Sequence, residues 1–388
     1  MKTFDWIVVG AGITGAALAY ELVNQGFAVL LFDPAASDSA TRWSYGGIAY
    51  WSGTTDLTRQ LCAEGRSLHQ SLSQELDADT QFREVDLLLT IPPSEEPSAI
   101  ANRYANFATP LQLLTIAEAC QLEPLLNPAQ ISGALTVKHG HIDAELTAKA
   151  YCQAFQRLGG TLAIAQVRRL KGTDKITGVV SSAGEFEAQQ VAICAGGITR
   201  PWLKTAGITV QQYFTHAELI EIPAPDLRLQ TLVMPAVTER FTMEAAAAAV
   251  DVLWDEPGYE PTPPILDAGA VQFLDGRIRI GQISRTLTDP QASIASSEQE
   301  LRQQVGQVLP AIAALPGTWQ RCLVAFSGDR LPLVGEVKPG LQVFSGFSNP
   351  LAIVPPLARR FAQAAAGQPD NLLPLVSPLR FANAPEAS

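Results

Sequence analysis

The sequence predicts an α/β fold, α+β overall, and three observations predict it. An apolar run, WIVVG (6–10), leads into a helix-like stretch, ITGAALAYELVNQG (13–26), and then into a second apolar run, FAVLLFD (27–33). The first junction carries Gly10, Gly12 and Gly15 in the spacing G-x-G-x-x-G. The order of strand, glycine turn and helix returns at 186–203 and at 340–367. Alternation of this kind builds a mostly parallel sheet covered by helices.

In chain order, WIVVG reads as a strand buried on both faces, and the stretch after it has helical spacing that Gly26 ends. In the G-x-G-x-x-G turn the first glycine permits the tight bend. The second lets a pyrophosphate approach the backbone, and the third lets helix and strand pack closely. Gly10, Gly12 and Gly15, with Ile13 and Thr14 at the start of the helix, are therefore the expected diphosphate cradle, because first-turn amides lack intrahelical partners. Asp33 closes the second strand where an acid accepts hydrogen bonds from an adenosine ribose, and Pro34 follows it. A plain glycine turn would leave Asp33 unexplained.

A nicotinamide dehydrogenase would next complete a doubly wound sheet. This chain instead continues with a Gly/Ser/aromatic loop, PAASDSATRWSYGGIAYWSG (34–53), and a helix over 58–76, and no second G-x-G-x-x-G appears. At 186–203 an apolar strand runs into Ala195, Gly196 and Gly197, a second backbone turn able to approach a cofactor. At 340–367 a strand meets Gly346 and another helix. Separate segments closing around one long ligand suit FAD better than NAD. Between them, EVDLLLTIP (84–92) and AVQFLDGRIRIGQISR (270–285) read as strands, the latter with an Asp275-Gly276 hairpin turn. Proline-rich stretches at 223–225 and 257–264 read as surface loops.

Composition excludes several classes. The 388 residues suit one large or two interleaved domains, and 47% hydrophobic with 17% charged residues is a globular composition. A net charge of −11 argues against nucleic acid as a partner. Five scattered cysteines without a Cys/His cluster suggest neither a disulfide framework nor a metal site. No apolar run approaches a membrane span, and the first strand starts too near Met1 for a signal peptide, so a cytoplasmic protein without a membrane partner is expected.

Over nearly its whole length the chain resembles the FAD-dependent oxidoreductases of the D-amino acid oxidase type, the group of glycine oxidase and sarcosine oxidase. The resemblance rests on the opening fingerprint, on Ser44, Gly46 and Gly47 as S-x-G-G, and on GHIDAELTAKAYCQAFQRLGGTL (140–162). AICAGG and GDRLPLVG…GLQVFSGF complete it. It implies an FAD-binding Rossmann-like domain with an inserted substrate domain containing a large antiparallel β-sheet. The expected FAD domain is 1–83, 141–212 and 322–388, and the substrate domain 84–140 and 213–321. Further cofactor contacts are implied at Arg42, Ser44, Gly46, Gly47, Val167, Ala195, Gly196, Gly346, Phe347, Asn349 and Leu351.

The implied chemistry is oxidation of a C–N bond in a small amine or amino acid by hydride transfer to flavin N5, with the imine then hydrolysed. Oxygen or another acceptor takes the electrons. The flavin performs the hard step, so no catalytic side chain is assigned. Family members carry either a carboxylate-gripping arginine or a flavin-linked cysteine ahead of the last strands. In RCLVAFSGDRLPLVG (321–335), Cys322 falls on the cysteine place and Val324 on the arginine place. Cys322 is thus a candidate for covalent attachment, against the alternative of a buried structural thiol. With Val324 unable to grip a carboxylate, either Arg240, Arg279, Arg321 or Arg330 supplies that contact or the substrate is not a simple amino acid.

Tyr45, Tyr50 and Trp51 are expected either to line a pocket or to pack between domains, and His216 is a further substrate candidate. His139 and His141 read as turn and capping residues before a helix. Phe347, Asn349 and Pro350 are expected to narrow the approach to the ring system. No lysine lies between Lys204 and Lys338, which favours a dehydrogenase or slow oxidase. Two alternatives stand beside the enzyme: an FAD-binding protein without amine turnover, as redox sensor or structural subunit, and a flavin module acting on a modified tRNA base.

Overall fold

The chain crosses repeatedly between two sheets, as a computed structural model describing residues 3–381 shows. Residues 1–2 and 382–388, the ends of the expected FAD-domain ranges, lie outside the described residues. The first pass lays down β1 (Phe4–Val9), α1 (Ile13–Asn24) and β2 (Val29–Asp33). The chain then enters the second sheet through β3 (Gly47–Ile48), α2 (Asp56–Glu75), β4 (Arg83–Ile91), α3 (Pro97–Arg103), β5 (Gln112–Leu114), α4 (Ile116–Leu122) and β6 (Gly133–His141). It returns with α5 (Ala144–Arg157), β7 (Thr161–Ile164), the hairpin β8 (Val167–Lys171) and β9 (Gly178–Ser181), β10 (Gly184–Ile193) and α6 (Thr199–Lys204). A second excursion makes β11 (Gln212–Ile222), β12 (Leu232–Pro235), α7 (Arg240–Ala249), β13 (Ile265–Gln272), β14 (Ile278–Arg285), α8 (Glu298–Val308), α9 (Pro310–Ala313) and β15 (Thr318–Ser327). The last pass adds β16 (Leu333–Lys338), β17 (Leu341–Ser345) and α10 (Pro350–Ala365).

The first sheet has the order β16-β17-β10-β1-β2-β7, parallel except for β16. Its central strands are apolar because both faces are covered; Ile7, Val8, Leu30 and Leu31 are buried. Ala16, Ala17, Leu18, Ala19 and Leu22 make α1 apolar nearly all round, as a helix enclosed by the sheet, α5 and α10 must be. A Cβ at Gly15 would lie 1.8 Å from the Gly10 carbonyl oxygen, so only glycine lets α1 sit this close to β1.

The second sheet runs β15-β11-β14-β13-β12-β4-β6-β3, antiparallel apart from the β12–β4 pair. Period-two alternation gives it two distinct faces. Ile220, Ile278, Ile280 and Ile283 turn outward beneath Leu301, Val305 and Ile312 of α8 and α9. Leu87, Leu89, Leu135, Val137 and Phe273 turn inward and share one core with α1, α2 and α10. The inner face is therefore apposed to the first domain by continuous packing. β15 belongs to this sheet over its full length, so the second excursion ends after Ser327 and not at 321, and β3 joins the sheet from within the 1–83 segment.

Two prolines shape α10. Pro355 and Pro356 lack N–H groups, which leaves the carbonyls of Leu351 and Ala352 without helical donors. His69 of α2 donates from Nε2 to the Leu351 oxygen at 2.6 Å. Gly65 comes so close to the Ala352 carbonyl that a Cβ there would stand 1.8 Å from its oxygen. The unusual helix is thereby matched to its neighbour, and its first turn is held in place. Among the described residues no helix is long and apolar enough to cross a membrane.

Candidate active site

Open parallel sheets bind ligands at the carboxyl ends of their strands. Here β1, β2, β10 and β17 end together: Gly10 N–H donates to the Phe32 carbonyl and Cys194 N–H to the Val9 carbonyl, both at 2.9 Å. Gly10 has φ of +102°, and a Cβ on it would lie 2.6 Å from the Cys194 oxygen. Gly12 caps α1, and the Ile13 amide behind it donates to Thr41 Oγ1 at 2.9 Å. That hydroxyl can donate in turn to a phosphate oxygen. Thr14 and Gly15 follow in the first turn, whose amides have no intrahelical acceptor. Asp33 spends Oδ1 on the Ala35 amide at 2.8 Å and keeps Oδ2 for an external donor. Pro34 is exposed beside it, and Val167 is buried at the start of the β8–β9 hairpin.

Three turns far apart in sequence meet at the other end of the crevice. Gln212 Nε2 and Ser345 Oγ both donate to the Gly196 carbonyl, at 2.8 and 3.4 Å, which ties the 195–197 turn to the end of β17. Gly196 has φ of +56°, with open space where a Cβ would stand; Ala195 precedes it. Gly346, with φ of +76°, starts the third turn. Asn349 leaves α10 uncapped and donates to the Ala49 carbonyl at 3.2 Å, joining this turn to the 46–50 loop. In that loop Ser44 Oγ accepts the Gly46 amide at 3.1 Å, and Gly47 pairs with His141. Arg42 is exposed, with its guanidinium 5.3 Å from the Trp43 ring centre. The narrowing expected from Phe347 and Asn349 does not occur through their side chains. Phe347 turns into the core against Phe344, Asn349 turns toward Ala49, and Leu351 is buried in the helix.

Over this end lies the inner face of the second sheet. Cys322 and Val324 of β15 pair with Ala217 and Thr215 of β11 on that face, and Cys322 packs with Trp43, Ala217 and Leu219. Burial pushes the Cys322 thiol up to about 12, so it is a neutral thiol and a poor nucleophile in this setting. The helix α7 crosses the same face. Its Glu244 accepts from Thr215 Oγ1 at 3.4 Å and from Arg240 Nε at 2.7 Å. Asp267 of β13 is buried near Arg240, and burial raises its carboxyl to about 6.

Several expected substrate residues are used elsewhere. His216 lies one position out of phase with Ala217, so it faces outward, where Nε2 pairs with the Asp289 carbonyl at 3.0 Å. Arg321 is on the same outer side and is bonded to the Ala292 carbonyl. Arg279 faces inward but is committed to Glu221 at 2.8 Å and to the Ser44 carbonyl, so it anchors the 44–47 loop instead of awaiting a ligand. Arg330 is exposed, 3.9 Å above the Phe241 ring. Tyr50 and Trp51 are buried in packing: Tyr50 donates to Glu84 at 2.8 Å, and Trp51 Nε1 to His139 Nδ1 at 2.9 Å. His139 and His141 are not capping residues; both are buried in β6 under the Gly46-Gly47 turn, and burial lowers each to about 3.

Sequence reasoning missed Thr41, Gln212, Glu244 and Asp267. Each acts across a fold contact with no periodic signal; only the hydroxyl of Thr41, beside the S-x-G-G loop, offered a local hint.

This fold and crevice define a dinucleotide-binding oxidoreductase in which a second sheet packs across the carboxyl end of the first. Residues 5–364 match the family described as FAD dependent oxidoreductase, and the chain belongs to that family. FAD is its cofactor, and the cradle fits it: glycines whose Cβ atoms would clash, free first-turn amides, and an acid at the end of β2. Among relatives, a glycine oxidase of Geobacillus kaustophilus is 26% identical over 243 residues, spanning 59% of this chain and 64% of that enzyme. A glycine oxidase of Pseudomonas aeruginosa is 24% identical over 397 residues, covering 97% and 98%. The crystal structure of the Geobacillus kaustophilus enzyme superposes with a TM-score of 0.78 at 22% identity, over 96% of both chains. That of iminodiacetate oxidase from Chelativorans sp. BNC1 gives 0.77 at 19%, over 96% and 98%. These superpositions establish the fold.

Proposed function

We propose that this chain is an FAD-dependent oxidase or dehydrogenase that oxidises a C–N bond of a small amine or amino acid, most concretely in a glycine-oxidase-like reaction. The observation that carries the reading is the apposition of the second sheet to the turns that close the crevice, with Cys322, Ala217 and Leu219 packed on Trp43, Arg279 bonded to the Ser44 carbonyl and Gly197 against Leu323 and Phe214. The names of the relatives, acting on glycine or on iminodiacetate, support it.

Each part of the chain has a task in that reaction. Gly10, Gly12, the Thr14 and Gly15 amides and the Thr41 hydroxyl, itself held by the Ile13 amide, hold the diphosphate, and Asp33 holds the ribose. Gln212, Ser345 and Asn349 keep the three turns in fixed relation, which sets where the substrate carbon must lie. Cys322, Val324, Ala217 and Trp43 present an apolar lid that excludes water from the oxidation step. Bound FAD supplies the two-electron acceptor for the amine. Water would then hydrolyse the imine once it leaves this lid.

The decisive experiment is anaerobic titration of the yellow protein with a panel of amines and amino acids. Bleaching of the visible band by at least one of them, with release of the corresponding carbonyl product, is expected. A protein that retains FAD yet bleaches only under light with an artificial donor would be the redox sensor or structural subunit instead.

A further inference from the structure

Resting on that reading, we propose that His69 is a positioning residue for the flavin: its Nε2 hydrogen stands in for the backbone N–H that Pro355 lacks, and through the Leu351–Ala352 peptide it favours the reduced, more negative form of the bound ring system. The first turn of α10 is the link. In a regular helix the N–H groups of residues 355 and 356 would bond the carbonyls of Leu351 and Ala352, but both residues are proline. Cys62, Gly65 and His69, spaced by three and four residues on one side of α2, meet this gap. His69 Nε2 lies 2.6 Å from the Leu351 oxygen, Gly65 brings its backbone against the Ala352 carbonyl, and Cys62 Sγ is 3.9 Å from Asn349 Nδ2.

The bond has a fixed direction. A carbonyl oxygen only accepts, so Nε2 carries the ring hydrogen, and Nδ1, buried without a partner, is left bare. His69 is 1% exposed and its ring stacks on Phe82 with centres 5.9 Å apart, which sets the plane of the donor. Burial also lowers His69 to about 4, so the ring is neutral across the ordinary pH range.

The Leu351 carbonyl shares one peptide unit with the Ala352 N–H, which points the opposite way, out of the start of α10. Among the described residues neither that N–H nor the Leu351 N–H has an acceptor; the first amide of the helix to find one is that of Ile353, on the Asn349 carbonyl. Two buried polar atoms in the same place are also unmatched: Ser348 Oγ in the turn itself, and Oε1 of Gln212, whose Cγ would stand 3.6 Å from a Cβ at Gly346. Buried polar atoms are almost always hydrogen-bonded, so a polar ligand completes this turn, and in the FAD reading that ligand is the ring system. A donor on the carbonyl end of a peptide strengthens the N–H at its other end. The reduced ring carries more negative charge than the oxidised ring and gains more from that N–H.

The test uses the holoenzyme and reads the midpoint potential of its flavin against a reference dye during slow anaerobic reduction, together with the Kd of oxidised FAD. His69→Phe keeps an aromatic ring beside Phe82 and removes the donor. It should weaken reduced FAD about 10-fold more than oxidised FAD, a fall in potential of about 30 mV for the two-electron couple. Pro355→Ala gives back the helical N–H, so adding it to His69→Phe should restore the wild-type potential. An unchanged potential in His69→Phe, whatever the Kd of oxidised FAD, leaves His69 a packing role and overturns the proposal. A fall that Pro355→Ala does not repair overturns it too. Should His69→Phe fail to fold, isotope-labelled histidine in the wild type decides: the His69 Nε2 proton should shift when the flavin is reduced, and a resonance indifferent to reduction overturns the proposal. Failure of every amine to bleach the flavin would overturn the underlying reading, while these potentials, which need no substrate, still judge His69.

Discussion

The cofactor cradle and the substrate face are built by opposite means. The cradle is local: Gly10, Gly12, Gly15 and Asp33 fall within one strand-helix-strand unit, and its demands are steric. The substrate face gathers β11, β13, β15 and α7 with the loop after β2, and its demands are electrostatic and long-range. The first tolerates almost no change of residue. In the second, each side chain depends on partners from distant elements, as when Arg279 of β14 is held by Glu221 of β11 and by the Ser44 carbonyl.

The strongest way to break this contrast is Gly15→Val. Its Cβ would meet a backbone oxygen at 1.8 Å, which no rotamer can relieve, so complete loss of FAD and a stability loss of about 3 kcal/mol are expected. The ratio of visible to ultraviolet absorbance and a urea melt check it; a yellow, stable variant would refute the steric account.

Next in size is Glu218→Ala on the outer face. Glu218 is fully buried and paired with Arg285 at 2.7 Å and Trp319 Nε1 at 3.1 Å, so its removal should cost about 3 kcal/mol. The FAD dissociation constant should stay unchanged, because Glu218 lies on the side away from Cys322. A large loss of FAD affinity would mean that the two faces are coupled.

The smallest effect is graded with pH. Burial lowers His69 and His216 to about 4 and His139 and His141 to about 3. Below about 6.5 the unfolded chain binds protons that the folded chain refuses, so stability falls as pH drops from about 6.5 to about 4. Glu21 and Asp267, raised to about 7 and 6 by burial, act in the opposite sense above about 4.5. Four groups outweigh two, and a net fall in Tm on acidification is expected. Three of the histidines are in strands of the second sheet and none is in the first, so tertiary signals from that sheet should fade before the flavin is released. A Tm that rises between pH 6.5 and 5 would contradict this.

Strands β1, β2, β4, β13, β14 and β17, the end of β10, helices α1, α2 and α10 and the three glycine turns were legible in the sequence, since each follows from local periodicity and glycine placement, whereas β6 was hidden because its end at His139 and His141 reads as a turn. His216 illustrates the limit. Its strand was readable, but its face depended on register, and a shift of one residue turns a side chain from ligand to bulk. Arg279 and Arg321 show the same limit for charge: both were plausible grips until Glu221, Ser44 and Ala292 were seen to occupy them.

By itself, the sequence determined that a strand, a glycine turn, a helix and a second strand ending in Asp33 follow one another as in a dinucleotide-binding unit, because that arrangement depends on backbone shape over about thirty residues. The tertiary structure alone decided which polar side chains remain free at the other end. Whether Arg240 is available and Arg279 is not depends on partners brought in from distant strands, and no spacing along the chain encodes that competition.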